Sequence, residues 1–435
     1  MTARSALRRY MLVSFLTWLP VGLMVATMVL LMTARGLSLA EVGLVVTVFS
    51  VVTATLELPT GGLADVLGRR VVLAVSAAFT VAALALIAVS TTFWMFLISG
   101  VLKGVARALS SGPATSWYVD TLHGIEGRDA DLRPGLARGG AMESVALCVG
   151  VLAGGGLPLL APAQVIFPLA APPLVGATAA AVLLVVVLIA MPEPAHARRS
   201  LPGVLREVPG TVGAGLRLAA GAPVLRRMTA AAAASGVVLC SIELLTPGRL
   251  AELAGTAERG SLAYAVVSAL GFASSAAGSA LAPRVARLAG GSARGSARGS
   301  AGGAIAGTVL AALSVGALAA TAGLGGPAGL VSAGLAYMTL FVGLSVAGLL
   351  CLEMTHNAVS SAERTTVTST SSLSLQTGGV VANLTLGALA GQAGTGVAWA
   401  GAALVVLASA LLFVRMPAPT GSSRSAAPRA RSHSG

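Results

Sequence analysis

The sequence predicts an all-α membrane protein, a polytopic bundle of twelve transmembrane helices. Of the 435 residues, 56% are hydrophobic and only 10% are charged, whereas a soluble domain carries about 25% charged residues. The mean hydropathy is +0.89. The apolar residues also gather in runs long enough to cross a bilayer, which takes about 20 residues per helix. This composition excludes a soluble enzyme, a disordered chain and a disulfide scaffold.

The first apolar run follows three arginines near the N-terminus and extends from Tyr10 to about Met32. It is too long for the core of a signal peptide, and no small-residue cleavage pattern follows it. We therefore expect it to be retained as span 1. The other predicted spans, 2 to 12, are 41–63, 71–90, 93–118, 138–160, 165–191, 228–247, 261–282, 302–322, 328–351, 366–390 and 396–414.

The distribution of basic residues predicts the orientation of the spans. Of the 28 Lys and Arg residues, only Arg35, Arg249 and Arg259 fall on the side opposite to the N-terminus, and Lys103 and Arg107 fall within a span. Basic residues concentrate in cytoplasmic loops. We expect a multi-pass protein of the cell membrane with both termini in the cytoplasm. The net charge of +13 is then a signal of topology, and we expect no nucleic-acid partner.

The longest loop, 192–227, contains five prolines and six arginines and lies between spans 6 and 7. It predicts a division into an N-terminal six-helix half, a central cytoplasmic loop, a C-terminal six-helix half and a disordered cytoplasmic tail. The corresponding residues are 1–191, 192–227, 228–414 and 415–435.

The residue types that support catalysis are scattered. The three cysteines lie far apart in apolar runs, no pair has the spacing of metal ligands, and the four histidines form no HExxH pattern. The only lysine, Lys103, follows Leu102, so the phosphate-binding GxxxxGK[ST] loop is excluded. We expect no enzyme activity, no metal and no cofactor, and energy from an ion gradient or a partner.

A charged loop joins spans 2 and 3, with the sequence GGLADVLGRR from Gly61 to Arg70. Its glycines allow a tight turn. The loop resembles the signature loop of the major facilitator superfamily, G-x-x-x-D-(R/K)-x-G-R-(R/K), and it has the same position after the second helix. The matching residues are Gly61, Asp65, Gly68, Arg69 and Arg70, whereas Val66 replaces the usual basic residue.

This resemblance implies the fold of that family, two six-helix halves around a central cavity, and a gate at the loop. In the family, the aspartate faces the start of the eleventh helix and holds the cytoplasmic gate closed. Ser360 and Glu363 have the spacing of a capping box at that position. The alternative is that Asp65 is a solvated turn residue and that Arg69 and Arg70 only anchor the loop.

Five charged residues of the first half are candidates for the cavity or for proton coupling: Glu57, Lys103, Arg107, Asp120 and Glu143. Ionisable residues within spans are costly, so each is a functional candidate. Lys103 and Arg107 are four apart and share one helix face. The resemblance implies that Lys103 takes the place of a buried arginine linked to proton transfer. For Arg107 and Asp120, an ion pair that only holds helices together is the alternative.

Glu243 is the only acidic residue inside the predicted spans of the second half. It lies in span 7, which lines the cavity in the family, so it is a candidate for substrate binding or for the coupled proton. The alternative is an interfacial position, because Pro247 and Arg249 follow soon after.

Two further patterns have structural explanations. Span 5 is rich in glycine, which favours close helix packing and is mildly typical of drug antiporters in the family. An aromatic belt at the membrane surface is the simplest explanation for Tyr10, Trp94, Trp117, Tyr118 and Trp399.

Together these features predict a secondary transporter that works by alternating access, resembling the twelve-helix drug/proton antiporters. We expect multidrug-type efflux of a hydrophobic or cationic small molecule in exchange for protons, by a monomer in the lipid bilayer. One alternative is an importer of a nutrient or sugar, for which polar residues such as Gln376 and Asn383 would face the cavity. A more remote alternative is a membrane scaffold or receptor.

Overall fold

The computed structural model describes residues 1–127, 129–192, 217, 221, 223–290, 297–359 and 364–416, without the side chains of 58–62, 65, 297 and 364–366. This part of the chain is helical and has no strand. The helices of the first half are α1 (Ala3–Val25), α2 (Met28–Ala34), α3 (Leu39–Leu67), α4 (Arg69–Val89), α5 (Phe93–Ser110), α6 (Pro113–Glu126), α7 (Arg133–Leu160) and α8 (Ala171–Ala190). Those of the second half are α9 (Pro223–Ala254), α10 (Ala257–Leu288), α11 (Ala297–Ala320), α12 (Gly326–Asn357), α13 (Arg364–Ala393) and α14 (Thr395–Ser409).

The number of membrane-spanning helices agrees with the sequence prediction. Among the described residues, 11 helices are long and apolar enough to cross a bilayer, and the count reaches 12 if α1 and α2 form one bent span. The predicted fold class, an all-α bundle with about twelve transmembrane helices, is therefore confirmed.

Span 1, predicted as one helix, is bent and consists of two helices, α1 and α2. The axes of α1 and α2 differ by 44°. At the break, the Thr27 hydroxyl donates to the Leu23 carbonyl over 3.4 Å. Such a bond from a hydroxyl back to the preceding turn competes with the backbone ladder and is a known cause of helix bending.

Span 4, predicted as a single helix over 93–118, is interrupted between α5 and α6. Gly112 has a φ of +98° in the left-handed region, and Pro113 is the first residue of α6. Proline disfavours the helical conformation of the residue before it. The Gly-Pro pair therefore ends one helix and starts the next, while Phe93–Glu126 remains a single candidate membrane span.

The two halves meet through α3 with α13 and through α7 with α10. The close approaches lie at one end of the bundle, where Gly43 packs on the backbone of Asn383 and Gly155 packs on Ser261. The Ser261 hydroxyl also donates to the Gly155 carbonyl over 3.2 Å. We call this the interface end and call the other end, which carries Arg9, the basic end.

Arginines at the basic end hold the last helix of each half in a similar way. Arg9 donates to the Ala190 carbonyl over 2.9 Å, at the end of α8. Arg227, near the start of α9, donates to the Val414 carbonyl over 3.0 Å, beyond α14. A guanidinium near the C-terminal end of a helix satisfies free carbonyls and complements the helix dipole. The first helix of each half is thus tied to the last helix of the same half.

The aromatic side chains near the span ends do not form a common surface belt, so that interpretation was wrong for four of five residues. Trp94 is 67% exposed. Tyr10 and Tyr118 are buried and stack with ring centroids 4.7 Å apart. Trp117 is buried and donates from Nε1 to the Pro192 carbonyl, and Trp399 is fully buried in the core of the second half. These rings fill space between helices.

Candidate functional site

A cavity of about 290 Å³ lies between the two halves. Its walls come from α1, α2, α3, α4, α5 and α8 of the first half and from α9 and α13 of the second half. They are mainly apolar, with Met24, Met28, Val46, Phe49 and Leu244 among the lining residues. The volume is at the lower limit of ordinary ligand pockets, which measure roughly 300–1,000 Å³. The cavity therefore suits a small molecule with a substantial apolar part.

Four hydroxyl-bearing residues line the cavity but donate their hydrogens inside the protein. Thr17 donates to the Val13 carbonyl over 2.7 Å, and Ser76 donates to the Ala106 carbonyl over 2.7 Å. Thr80 and Ser110 bond within their own helices. The remaining polar lining consists of Lys103, Arg107, Glu243 and Asn383. These four residues are the candidate polar groups for ligand binding.

Lys103 enters the cavity from α5, one of the helices of the first half. Gly100 and Gly104 on either side of it pack against Val45 and Val52 of α3, so α5 lies close to α3 at this level. The Lys103 ammonium lies 5.1 Å from the centroid of the Phe49 ring, which is within cation–π range. Among the described residues it has no hydrogen-bond partner.

Glu243 enters the same cavity from α9, in the second half. Its carboxylate is exposed to the cavity, and it attracts the Lys103 ammonium without a direct ion pair. In the described part of the chain, no hydrogen-bond donor reaches it. The two opposite charges thus face one cavity from the two halves of the protein, and each is left available for a ligand.

Asn383 of α13 is the fourth polar residue. The residue is only 2% exposed, and its side chain lies near the Cys240 thiol. Its Nδ2 has no hydrogen-bond partner within the part of the chain that the structure describes. A buried amide without a partner is costly. An acceptor atom of a bound ligand or of a water molecule would satisfy it.

Arg107 joins this cavity to a second one of about 130 Å³, lined by residues of α1, α5, α6 and α7. Its guanidinium carbon lies 4.5 Å from the centroid of the Trp18 ring. Glu57 and Glu143 both attract the guanidinium, and Glu57 also accepts a hydrogen bond from the Ser111 hydroxyl over 2.9 Å. The second cavity is therefore polar and carries charges of both signs.

The signature loop is a tight connection in which Gly68 alone separates α3 from α4. The φ of Gly68 is +96°, a conformation that favours glycine. Arg69 forms an ion pair with Asp120, and Arg70 donates to the Leu188 carbonyl at the end of α8. Residues 61–67 belong to α3, so Gly61 lies within a helix and the expectation that it forms part of the turn was wrong. The Asp65 side chain lies outside the described part, as do Ser360 and Glu363.

The predicted cluster of five charges in the first half is divided among three places. Arg107 lies with Glu57 and Glu143, whereas Lys103 lies opposite Glu243. Asp120 pairs with Arg69 rather than with Arg107, which removes the alternative of an Arg107–Asp120 pair. The described residues contain no group of three or more His, Cys, Asp or Glu side chains that is suited to a metal ion.

The aromatic partners of the two cations were missed by sequence reasoning. Phe49 lies under Lys103 and Trp18 lies under Arg107. Each pair joins residues more than fifty positions apart, and no local spacing indicates such a contact. The only available signal was the aromatic residue type inside an apolar span.

Comparisons with known proteins agree with this architecture. The sequence profile of the Major Facilitator Superfamily matches residues 10–350. No curated protein sequence is significantly similar to the chain.

Solved structures share the fold over nearly the whole chain. A crystal structure of the nucleoside transporter NupG has a TM-score of 0.75 at 14% identity and covers 94% of this chain and 98% of its own. A bacterial homolog of the human lysosomal transporter Spinster, inward-facing and unoccupied, has a TM-score of 0.68 at 14% identity, with 95% of each chain covered. A POT family transporter in complex with 5-aminolevulinic acid has a TM-score of 0.66 at 13% identity and covers 95% of this chain and 98% of its own.

At these identities the structural likeness concerns the fold alone. The sequence profile, in contrast, covers more than half of the chain. The protein therefore belongs to the major facilitator superfamily of membrane transporters.

Proposed function

We propose that the protein is a proton-coupled exporter of a hydrophobic or cationic small molecule in the cell membrane. The observation that carries this proposal is Glu243, a carboxylate that is exposed to a mainly apolar cavity between the two halves. An apolar wall favours an apolar body, and a carboxylate in it favours a positive charge on that body. A small amphipathic cation meets both conditions.

The same carboxylate supplies a simple basis for exchange. A proton and a cationic ligand compete for Glu243, because either one neutralises its single negative charge. Binding of one therefore disfavours binding of the other. Release of the ligand on the outer side allows a proton to bind, and loss of that proton on the inner side restores the site. This competition couples the two movements in opposite directions.

Alternating access requires that the cavity open to one side at a time. The close approaches between the halves at Gly43 and Gly155 close the interface end. The second, polar cavity adjoins the first on the side of the basic end, where Thr115 and Glu143 contribute to its lining. With the basic end in the cytoplasm, as the distribution of arginines favours, this is an inward-open state.

The signature loop supplies the opposite gate in this proposal. Asp65 faces the start of α13 in the outward-open state and holds the basic end closed, while Arg69 and Arg70 fix the loop through their contacts with Asp120 and with the end of α8. These two contacts lie within the first half, so the loop is carried by that half as one unit.

Asn383 supports the importer alternative, because a buried amide without a partner suits a polar solute such as a sugar. Gln376, the other amide that this alternative requires, is absent from the described cavity lining. The cavity lining contains more charged and apolar side chains than amide side chains. Export of a hydrophobic or cationic compound is therefore the better supported function.

A growth assay tests the direction of transport. The protein is expressed in an export-deficient host, and the host is exposed to a panel of cationic, neutral and anionic toxic compounds. We expect resistance to hydrophobic cations with the native protein and no resistance with Glu243→Ala. Increased sensitivity to polar solutes, caused by uptake, would instead establish the importer.

A further inference from the structure

The cavity holds one positive and one negative side chain that are supplied by different halves. Lys103 belongs to α5 and Glu243 to α9, and both line the same space. Among the described residues, neither charged group has a hydrogen-bond donor or acceptor of its own, and the two do not form a direct ion pair. They are close enough to attract each other. A gap therefore separates two opposite charges across the boundary between the halves.

The surroundings limit what can compensate these charges when the cavity closes. The Lys103 ammonium has the Phe49 ring as a neighbour, and the wall between the charges is largely apolar. Arg107, the next cation along α5, is attracted by two acidic residues of its own, Glu57 and Glu143. The charge balance of the main cavity is therefore set by Lys103 and Glu243.

A ligand with only a positive charge leaves this balance incomplete. Its cationic group binds the Glu243 carboxylate and replaces Lys103 as the partner of that carboxylate. The Lys103 ammonium is then enclosed without a partner. An uncompensated charge in a closed apolar space is less stable than the same charge in water. A ligand with only a negative charge binds Lys103 and leaves the Glu243 carboxylate without a partner.

We propose that the cavity selects zwitterionic ligands, which place a carboxylate against Lys103 and an ammonium against Glu243 across the boundary between the halves. Such a ligand fills the gap and leaves neither charge unpaired. It also connects the halves, because each of its charged ends binds a different half. This inference rests on the proposed transport function and narrows it: small amphipathic amino acids and related compounds are the preferred substrates, whereas simple cations engage Glu243 alone and bind more weakly.

Asn383 and the cavity size narrow the class further. Its unpartnered amide lies in the same lining and donates to an acceptor atom, which the carboxylate of the ligand supplies. The volume of about 290 Å³ accepts an aromatic or short aliphatic body. The ligand is thus a small molecule with one acidic group, one basic group and an apolar body.

Binding to matched compounds tests the proposal. Three series share one apolar body each: tryptophan, tryptamine and indole-3-propionate; phenylalanine, phenethylamine and 3-phenylpropionate; 6-aminohexanoate, hexylamine and hexanoate. Isothermal titration calorimetry with the purified full-length protein in detergent at pH 7 gives the Kd of each compound. In at least one series we expect the zwitterion to bind about tenfold more tightly than either singly charged analogue, since each added ionic contact contributes about that factor.

Two substitutions make the test specific for the two charges. In Lys103→Met, the advantage of the zwitterion over the cation disappears, whereas its advantage over the anion remains. In Glu243→Gln, the advantage over the anion disappears and that over the cation remains. Glu258→Gln and Arg259→Gln, at the start of α10 and outside the described cavity lining, are the matched controls and leave all three affinities unchanged.

The proposal is overturned if the cation binds as tightly as the zwitterion in every series, if no zwitterion binds, or if Lys103→Met leaves the preference unchanged. Transport of the same compounds in proteoliposomes separates this failure from a failure of the proposed function. Proton-driven export of tryptamine or phenethylamine without a preference for zwitterions rejects the substrate class alone. Absence of proton-driven movement of every compound rejects the function as well.

Discussion

The interface between α7 and α10 offers a way to shift the protein between its two access states. Gly155 of α7 is buried against Ser261 and Ala265 of α10, and a Cβ at this position would lie only 2.7 Å from the Ser261 carbonyl oxygen. Its neighbour Gly156 has no atom within 4 Å of the same added carbon. Gly155→Val therefore adds three carbons to a packed contact between the halves, whereas Gly156→Val adds them to open space.

The magnitude follows from the packing. Insertion of extra carbons into a well-packed contact costs typically about 1–3 kcal/mol. The cost falls on the state in which the interface end is closed, because in the proposed cycle the halves separate there in the other state. A value of about 2 kcal/mol changes the ratio of the two states roughly thirtyfold. We expect Gly155→Val to favour the state open at the interface end by this factor.

Cysteine labelling measures the ratio. Cys148, Cys240 and Cys351 are replaced by alanine, and one cysteine is introduced at Val46, which lines the cavity. A membrane-impermeant maleimide is applied from each side. Gly155→Val should lower labelling from the basic end and raise it from the interface end, with Gly156→Val unchanged. Equal labelling of the two glycine variants would refute the reasoning about this interface.

Two further substitutions address the gate and the scaffold. Asp65→Asn should abolish transport without lowering membrane expression and should raise cysteine accessibility from the basic end; native transport rates in this variant would leave only the solvated-turn role. Arg249→Gln should lower the free energy of unfolding by about 2–3 kcal/mol, because the buried guanidinium donates to the Thr321 and Leu324 carbonyls and pairs with an acidic residue. Thermal unfolding in detergent measures the loss, and the exposed Arg259→Gln should show little change.

The fold class could be predicted from the sequence because the strongest sequence patterns reflect the chemistry of a bilayer. Long apolar runs, basic loops and the signature loop from Gly61 to Arg70 each follow from the demands of a bilayer, and they agree with each other. The breaks in spans 1 and 4 were missed. Gly112 and Pro113 do appear in the sequence, but membrane helices often tolerate both residue types, so their presence alone did not predict an interruption.

The cavity was predictable only in part. The expectation that an ionisable residue in a span is functional led to Lys103 and Glu243, and the structure places both at one cavity. Their opposition across the two halves depends on contacts between distant helices, which one sequence does not reveal. The same is true of Asp120, whose partner is Arg69 on another helix. Local spacing predicts shared faces of one helix and has no information about the neighbouring helix.

The central claim is that Glu243 couples transport to protons, and proton-driven transport by a Glu243 variant tests it most directly. The native protein and Glu243→Gln are reconstituted in vesicles, and accumulation of a transported compound is measured at several imposed pH differences, with binding measured separately in detergent. We predict that the native protein accumulates more of the compound as the imposed pH difference increases. Glu243→Gln should retain measurable binding and lose accumulation against the gradient. Full pH-dependent accumulation by Glu243→Gln would contradict the account and would place proton coupling at another residue.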